Sequence, residues 1–546
     1  MSSAFAPPDS EASRINEWRF AAAGAVAIVM HAVLSWIVRA RHLGTGNDDA
    51  VYLLLARALR EGHYRELFYV GSPIHSQYPP GYPAFLAMLG APSDGALGLV
   101  IAANILLSCT ALALLFDVMR RWSAPLAVVA VAVLALNPWL VAASSRVQSE
   151  PLFMAAVMLA LWALRPSADS RHRWIAITAV IVAALTRSAG VTIVAGILAH
   201  FLLARAWKAA FALTLVATLT IVPWIGWTVL APQKIVGRSY IADAFVQLPR
   251  DYRGEQAALS ESRSLSRAVS LGRTLVRRVA RNTPAYLTRS LPTVLAIPTV
   301  PGTVVDNAAW LLGMLAALLA GVATAMRRWR PAVLVLAAYA LLLVIWPYVI
   351  GRFVVPLLPV LIAVMLLGAW QIGGRLMPRL AIVPALALAA VPLMGGTRGV
   401  ASMVREAEGC RALAVDPGWP CRSDLRRYRS VVDSLALTLP RDARVFTTKE
   451  GTFYYLTGRQ VVSAYPAMSM EPAVLSEYLR QSQTTTIFLP HQKIEEWVLG
   501  PALAALCSEF TDARIGDGEL LVLHARPPAT GESDGCAAVE RWRATW

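Results

Sequence analysis

Apolar stretches recur along the chain near 20–38, 97–118, 124–143, 150–164, 174–188, 190–204, 209–230, 305–325, 332–350, 353–370 and 380–395. An α-helix rises 1.5 Å per residue, so about twenty apolar residues cross the ~30 Å hydrocarbon core of a bilayer. In lipid, backbone N–H and C=O groups must find partners inside the protein. A chain that repeats such runs is therefore expected to fold as a polytopic α-helical membrane protein with about eleven spans. The runs 150–164, 174–188 and 190–204 are short. Composition agrees: 57% of residues are hydrophobic and only 15% charged, against about 25% charged in an ordinary soluble domain.

The formal net charge of +16 does not point to nucleic acid, because the excess sits in short turns between the apolar runs. Basic turns of that kind set membrane topology. Residues 1–19 contain Asp9, Glu11 and Glu17, and no small-residue cleavage site follows the run 20–38, so this run is read as a permanent span rather than a signal peptide. Arg120 and Arg121, then Arg165, Arg171 and Arg173, then Arg205 and Lys208, then Arg327, Arg328 and Arg330, then Arg375 and Arg379 mark alternating connections. If these are cytoplasmic, the N-terminus is inside and the C-terminus outside. Arg39 and Arg41 point the other way and are outnumbered.

The expected organisation is a transmembrane domain over residues 1–395, with substantial extracytoplasmic loops at 40–96 and 232–304, and an extracytoplasmic soluble domain over 396–546. The last segment alternates short apolar strands (Arg444–Thr447, Val461–Ala464, Thr486–Leu489, Glu519–His524) with helical stretches (Asp424–Leu437, Pro472–Gln481, Ile494–Leu506), the pattern of a small α/β domain. It holds Cys410, Cys421, Cys507 and Cys536. An even number on an oxidising side suggests two disulfides, by proximity Cys410–Cys421 and Cys507–Cys536. A zinc site is the rival, weakened by the lack of a C-x2-C pair. In the loop 232–304, Arg263, Arg267, Arg273, Arg277, Arg278, Arg281 and Arg289, with Leu271, Leu275 and Val279 on one stripe, predict a basic amphipathic helix on an anionic leaflet.

The segment 44–90 is the most informative. Asn47 or Asp48 can cap a helix that Gly62 stops, with Val51, Leu54, Leu55, Ala58 and Leu59 on one face and Arg57, Arg60 and Glu61 polar. Such a helix is expected on the membrane surface, and the run 81–90 is expected to form a second surface or re-entrant helix. Asp48 and Asp49 then lie near the membrane boundary. They can serve only as cap and first-turn acid, or as a carboxylate that takes a proton from a hydroxyl or holds a metal. Tyr78-Pro79-Pro80-Gly81-Tyr82-Pro83 is a rigid turn, able either to reverse the chain or to fix a loop over a site.

The order of a first span, the acid pair with Tyr52 four residues after Asp48, an amphipathic helix ending in Glu61-Gly62, and the Tyr78–Pro83 turn resembles the GT-C glycosyltransferases that use polyprenyl-phosphate sugars. Protein O-mannosyltransferases and the lipid A aminoarabinose transferase belong to that class. Further similar stretches follow in order: Ser149-Glu150-Pro151-Leu152-Phe153, Thr186-Arg187-Ser188-Ala189-Gly190, Gly351-Arg352-Phe353 with Pro356-Leu357-Leu358-Pro359, and Tyr454-Tyr455-Leu456-Thr457-Gly458-Arg459. Two positions depart from the pattern. Asp49 stands where protein mannosyltransferases have Glu, and Tyr78 where lipid A-type enzymes have Lys.

The resemblance implies an inverting glycosyltransferase in the inner (cytoplasmic) membrane of a bacterium. It would move a sugar from a polyprenyl-phosphate donor to a glycan, lipid or protein acceptor on the extracytoplasmic face, among membrane lipids and without nucleic acid. Asp48 would be the base, and Asp49 would orient the acceptor or bind a divalent cation, Mg2+ or Mn2+. Tyr52, Tyr78 and Tyr82 would contact substrate. Arg146, Arg187 and Arg352 stand at separate turns, where a guanidinium can hold a phosphate or snorkel to headgroups. Glu150 opens a span, as acceptor ligand or as an ordinary first-turn acid. His75 can contact phosphate or be structural. A lipid or sugar-lipid transporter and a non-catalytic envelope assembly protein are the alternatives. Transporters usually carry mid-span charges or broken helices, and charge is nearly absent from these runs.

Overall fold

The computed structural model describes residues 11–41, 43, 47–90, 97–165, 169–230, 264–297, 308–347, 349–413, 423–464, 471–490, 493–513, 515 and 520–545. Each of the eleven apolar runs falls on helix within these residues. Six helices are long and apolar enough to cross a membrane: Glu17–Ile37, Leu97–Arg120, Trp207–Thr228, Ala309–Arg328, Gly351–Leu376 and Pro378–Gly409. Glu150–Ala163, Ser188–Leu203 and Arg330–Ile345 are shorter apolar helices. The protein is a multi-pass membrane protein.

The run 124–143, expected as one span, is two helices, Ala124–Ala135 and Pro138–Ser144, bent by 66°. Asn137-Pro138 makes the break. Proline cannot donate to the helix ladder, and the Asn137 side chain caps the second helix by accepting from Trp139 N–H and Leu140 N–H, each at 3.0 Å. His31 crosses the bend: its ring nitrogens lie 3.3 Å from the Ala135 carbonyl and 3.1 Å from Ser144 Oγ.

The contacts gather the chain into two compact units. The first is Met1–Arg39, Ile101–Trp224 and Leu248–Ala407. It is the helical bundle, and at Gly321 and Gly368 the helices Ala308–Arg328 and Leu358–Leu376 approach so closely that an added Cβ would meet the other helix's backbone. Small residues at such crossings let dispersion contacts and weak hydrogen bonds replace the hydrophobic drive that lipid removes. Within the basic helix Ser264–Ala285, Arg278, Arg281 and Asn282 donate to the carbonyls of Val344, Ile345, Trp346 and Pro347, the end of the helix Arg330–Ile345. They supply donors that a helix C-terminus lacks. Arg263 lies outside the described residues.

The second unit is Ala40–Val100, Ile225–Gln247 and Glu408–Trp546. It holds a five-stranded sheet of β1 (Val445–Thr447), β2 (Val461–Ser463), β3 (Thr486–Leu489), β4 (Thr511–Asp512) and β5 (Leu521–His524), in the order β2-β1-β3-β5-β4. β1 runs parallel to β2 and β3, and β5 is antiparallel to β3 and β4. The Cys507–Cys536 disulfide ties two of its helical turns. Cys421 and the side chain of Cys410 lie outside the described residues.

Residues 68–70 join the free edge of β2. Val461 N–H donates to the Phe68 carbonyl at 2.8 Å, and Val70 N–H to the Val461 carbonyl at 3.2 Å. The helix Asn47–Arg60 matches its expected span, and its apolar stripe finds a different partner. Val51, Leu54 and Leu55 are buried in one core with Phe68, Phe453, Val461 and Phe488, not laid on lipid. The reason is close approach. Gly451 leaves no Cβ where Val51 passes, so the helix Glu450–Thr457 packs directly on the acid-bearing helix.

Candidate active site

Among the described residues, the expected site residues fall into a cluster in each unit. In the second unit, Asp48 and Asp49 occupy the first turn of the helix Asn47–Arg60. Asp48 Oδ1 accepts from the Tyr78 hydroxyl at 2.8 Å. Asp49 is buried, and its Oδ1 accepts from Ala50 N–H at 2.8 Å. The Tyr78 ring packs on Tyr52 at 4.8 Å between centroids, and Tyr52 meets Tyr82 edge-on at 4.9 Å. Tyr52 and Tyr82 are buried, so their rings wall the turn and hold Tyr78 in place.

The rigid turn is anchored from behind. The Tyr64 hydroxyl donates to the Tyr78 carbonyl at 2.8 Å. Burial, then the nearby Tyr52 and Glu66, push the Tyr64 phenol well above its usual range, so it stays a donor. Tyr78 N–H donates to His75 Nε2 at 2.7 Å, and His75 Nδ1 lies 2.7 Å from Glu66 Oε1. Tyr69 donates to Glu450 Oε1 at 2.7 Å, which links the loop to the helix that carries Tyr454–Thr457. Tyr64, Glu66, Tyr69 and Glu450 escaped the sequence reading. Glu66 and Glu450 carried no spacing signal, because each finds its partner only when distant backbone is brought close.

In the first unit, Glu150 is buried and opens the helix Glu150–Ala163. Arg187 Nη1 reaches Glu150 Oε1 at 3.0 Å and Ser149 Oγ at 2.9 Å. Arg352 Nε reaches Glu150 Oε1 at 2.5 Å, and its Nη2 reaches Oε2 at 3.3 Å. The two arginines, expected to stand apart at separate turns, converge on one carboxylate. With two guanidiniums against one carboxylate, this trio carries a net positive charge, suited to a further anion. Arg187 and Arg352 side chains keep 15% and 29% exposure. Arg146 is half-buried, and its carbonyl accepts from Asn104 at 2.8 Å.

Mg2+ usually keeps several waters and is held by one or two carboxylates together with substrate phosphates. Among the described residues, no group of three or more His, Cys, Asp or Glu is placed to hold a metal ion. Asp48 and Asp49 are the two carboxylates that would hold such a cation.

The chain shares its fold with two solved proteins. AglB, the archaeal oligosaccharyltransferase from Archaeoglobus fulgidus solved with an inhibitory peptide and a dolichol-phosphate, aligns at TM-score 0.55 and 11% identity, over 95% of this chain and 77% of that one. ArnT from Cupriavidus metallidurans in the apo state aligns at TM-score 0.50 and 14% identity, over 92% and 99%. ArnT bound to undecaprenyl phosphate gives TM-score 0.49 at 15% identity, over 92% and 98%. At such identity the likeness is one of fold. No protein-family model matches the chain, and no curated protein sequence matches it.

Proposed function

We propose that this protein is an inverting glycosyltransferase that moves a sugar from a polyprenyl-phosphate donor to an acceptor hydroxyl at the extracytoplasmic membrane surface. The observation that carries the reading is the Asp48 carboxylate held by the Tyr78 hydroxyl at the first turn of its helix. The fold supports it, since AglB with the same fold was captured with a dolichol-phosphate. In the reaction, the acceptor oxygen attacks the anomeric carbon and loses its proton to Asp48. The bond from that carbon to the lipid phosphate breaks, its electron pair leaves with the phosphate, and the configuration inverts. Asp49, bound to its own helix N-terminus, keeps the first turn in register. The Arg187–Glu150–Arg352 trio binds an anionic group and stabilises its charge.

The same reading takes the eleven apolar runs as crossings of a bacterial inner membrane, with the N-terminus cytoplasmic and residues 396–546 outside. The basic helix Ser264–Ala285 then rests on anionic headgroups.

The test is purified protein assayed against a panel of polyprenyl-phosphate sugars, with and without EDTA, beside Asp48→Asn. Transfer by the natural protein and none by the folded variant is expected. Full activity in the variant overturns the role of Asp48. Sugar-lipid translocation with no glycosidic bond formed would instead make the protein a transporter.

A further inference from the structure

Behind the Tyr78–Asp48 contact lies a buried acid–imidazole pair that the proposed reaction does not use. Glu66 and His75 are 2% and 0% exposed. Their backbone is laced together: Glu66 N–H donates to the Pro73 carbonyl at 2.9 Å, and His75 N–H to the Tyr64 carbonyl at 3.1 Å. The Trp227 indole donates to the His75 carbonyl at 3.1 Å. These bonds fix the backbone that carries both side chains.

The chemistry of the partners settles the tautomer. A backbone amide has one proton and only donates, so His75 Nε2, at 2.7 Å from Tyr78 N, must be the bare, accepting nitrogen. The ring proton therefore sits on Nδ1 and is donated to Glu66 Oε1 at 2.7 Å. Glu66 selects this tautomer, because a carboxylate accepts the Nδ1 proton and gives the opposite tautomer nothing. If both ring nitrogens carried protons, Nε2–H would face Tyr78 N–H at a distance only a hydrogen bond permits.

We propose that Glu66 and His75 are positioning residues for Asp48. Glu66 fixes the imidazole, the imidazole fixes the Tyr78 backbone, and Tyr78 carries that placement to the Asp48 carboxylate through its hydroxyl. This rests on Asp48 being the base. Neither residue of the pair is a catalytic residue, since each acts through Tyr78. The phosphate contact considered for His75 is replaced by this role, because the ring is fully buried with both nitrogens engaged.

The experiment uses full-length protein in nanodiscs with 3-fluorotyrosine at position 78, whose 19F resonance reports the environment of the hydroxyl. Asp48→Asn supplies the reference position for a perturbed contact. Glu66→Leu and His75→Leu are expected to move the resonance to or beyond that reference. Glu66→Gln, which keeps an accepting oxygen, is expected to leave it near the natural position, and imidazole added to His75→Ala is expected to move it back. In transfer assays, Glu66→Leu is expected to lower kcat about tenfold or more, with donor KM within about twofold. Natural resonance positions in folded Glu66→Leu and His75→Leu overturn the proposal, as does an Asp48→Asn variant that leaves the resonance unmoved. If His75→Leu fails to fold, Glu66→Leu against Glu66→Gln decides. The resonance is read with no donor or acceptor present, so its failure removes the positioning pair alone. The Asp48→Asn transfer assay judges the glycosyltransferase reading separately.

Discussion

Tyr78 and Asp48, thirty positions apart in the sequence, meet through a 2.8 Å hydrogen bond from the phenol to the carboxylate. That hydrogen bond fixes where the carboxylate points, and a general base must be held within reach of the proton it takes. Tyr78→Phe keeps the ring packed on Tyr52 and deletes only the donor. Transfer should fall by about tenfold, well short of the 10²–10⁴-fold loss expected for Asp48→Asn. Equal losses in the two variants would mean that Tyr78 does more than hold the acid.

Glu150 stands between Arg187 and Arg352. Glu150→Gln leaves both guanidiniums facing a neutral amide. Breaking a buried pair costs about 3–5 kcal/mol, and the partial exposure of both arginines brings the expected loss to roughly 1–3 kcal/mol. A lower thermal midpoint in detergent checks this, and an unchanged midpoint refutes it. Arg352→Lys should retain part of the stability, because it keeps the charge and loses the fork.

At Gly368 an added Cβ would run into the backbone of Ala317 and Gly321. Gly368→Ala should force the two helices apart, at a cost of about 1–3 kcal/mol. The yield of folded protein and its thermal midpoint should both drop. Gly313, where a Cβ meets nothing within 4 Å, is the control, and Gly313→Ala should be nearly silent.

Cys507 and Cys536 are separated by 29 positions. Cross-linking a loop of that length removes about 3–4 kcal/mol of chain entropy from the unfolded state. Cys507→Ser with Cys536→Ser, or reduction with dithiothreitol, should lower the thermal midpoint. An identical midpoint in the oxidised and reduced proteins would contradict it.

Tyr64 is held protonated above the ordinary value of 10.0, by burial first. The sign follows from linkage: a phenol whose folded pKa is raised contributes stability that is complete below the unfolded value and lost as pH climbs past it. Stability should therefore decline above about pH 10, and Tyr64→Phe should flatten part of that decline. Tyrosinate absorbance at 295 nm, followed beside the unfolding signal, measures both. Ionisation of Tyr64 near its ordinary value in folded protein would rule the argument out.

Much of the architecture was legible from local pattern. Run length located the helices, and alternation of apolar residues located β1, β2, β3 and β5 to within a few positions. The helix Asn47–Arg60 was legible down to its polar and apolar faces, yet not in its surroundings. A stripe of Val51, Leu54 and Leu55 reads the same whether it covers lipid or a protein core. Only the glycine at 451 and the edge of β2 show which surface takes it.

By itself the sequence determined that this chain lives in a membrane, carries a small α/β segment at its end, and places an acid pair at the head of a short helix. These are properties of spacing along one dimension, measured against a bilayer thickness and two helical and strand periods. The tertiary structure alone decided that Arg187 and Arg352 share Glu150, that residues 68–70 extend the sheet at Val461, and that Glu66 stands behind His75 and Tyr78. Each of those is a contact between polar groups set by packing rather than by neighbours in sequence. A buried donor or acceptor must find a partner wherever the fold brings one within about 3 Å.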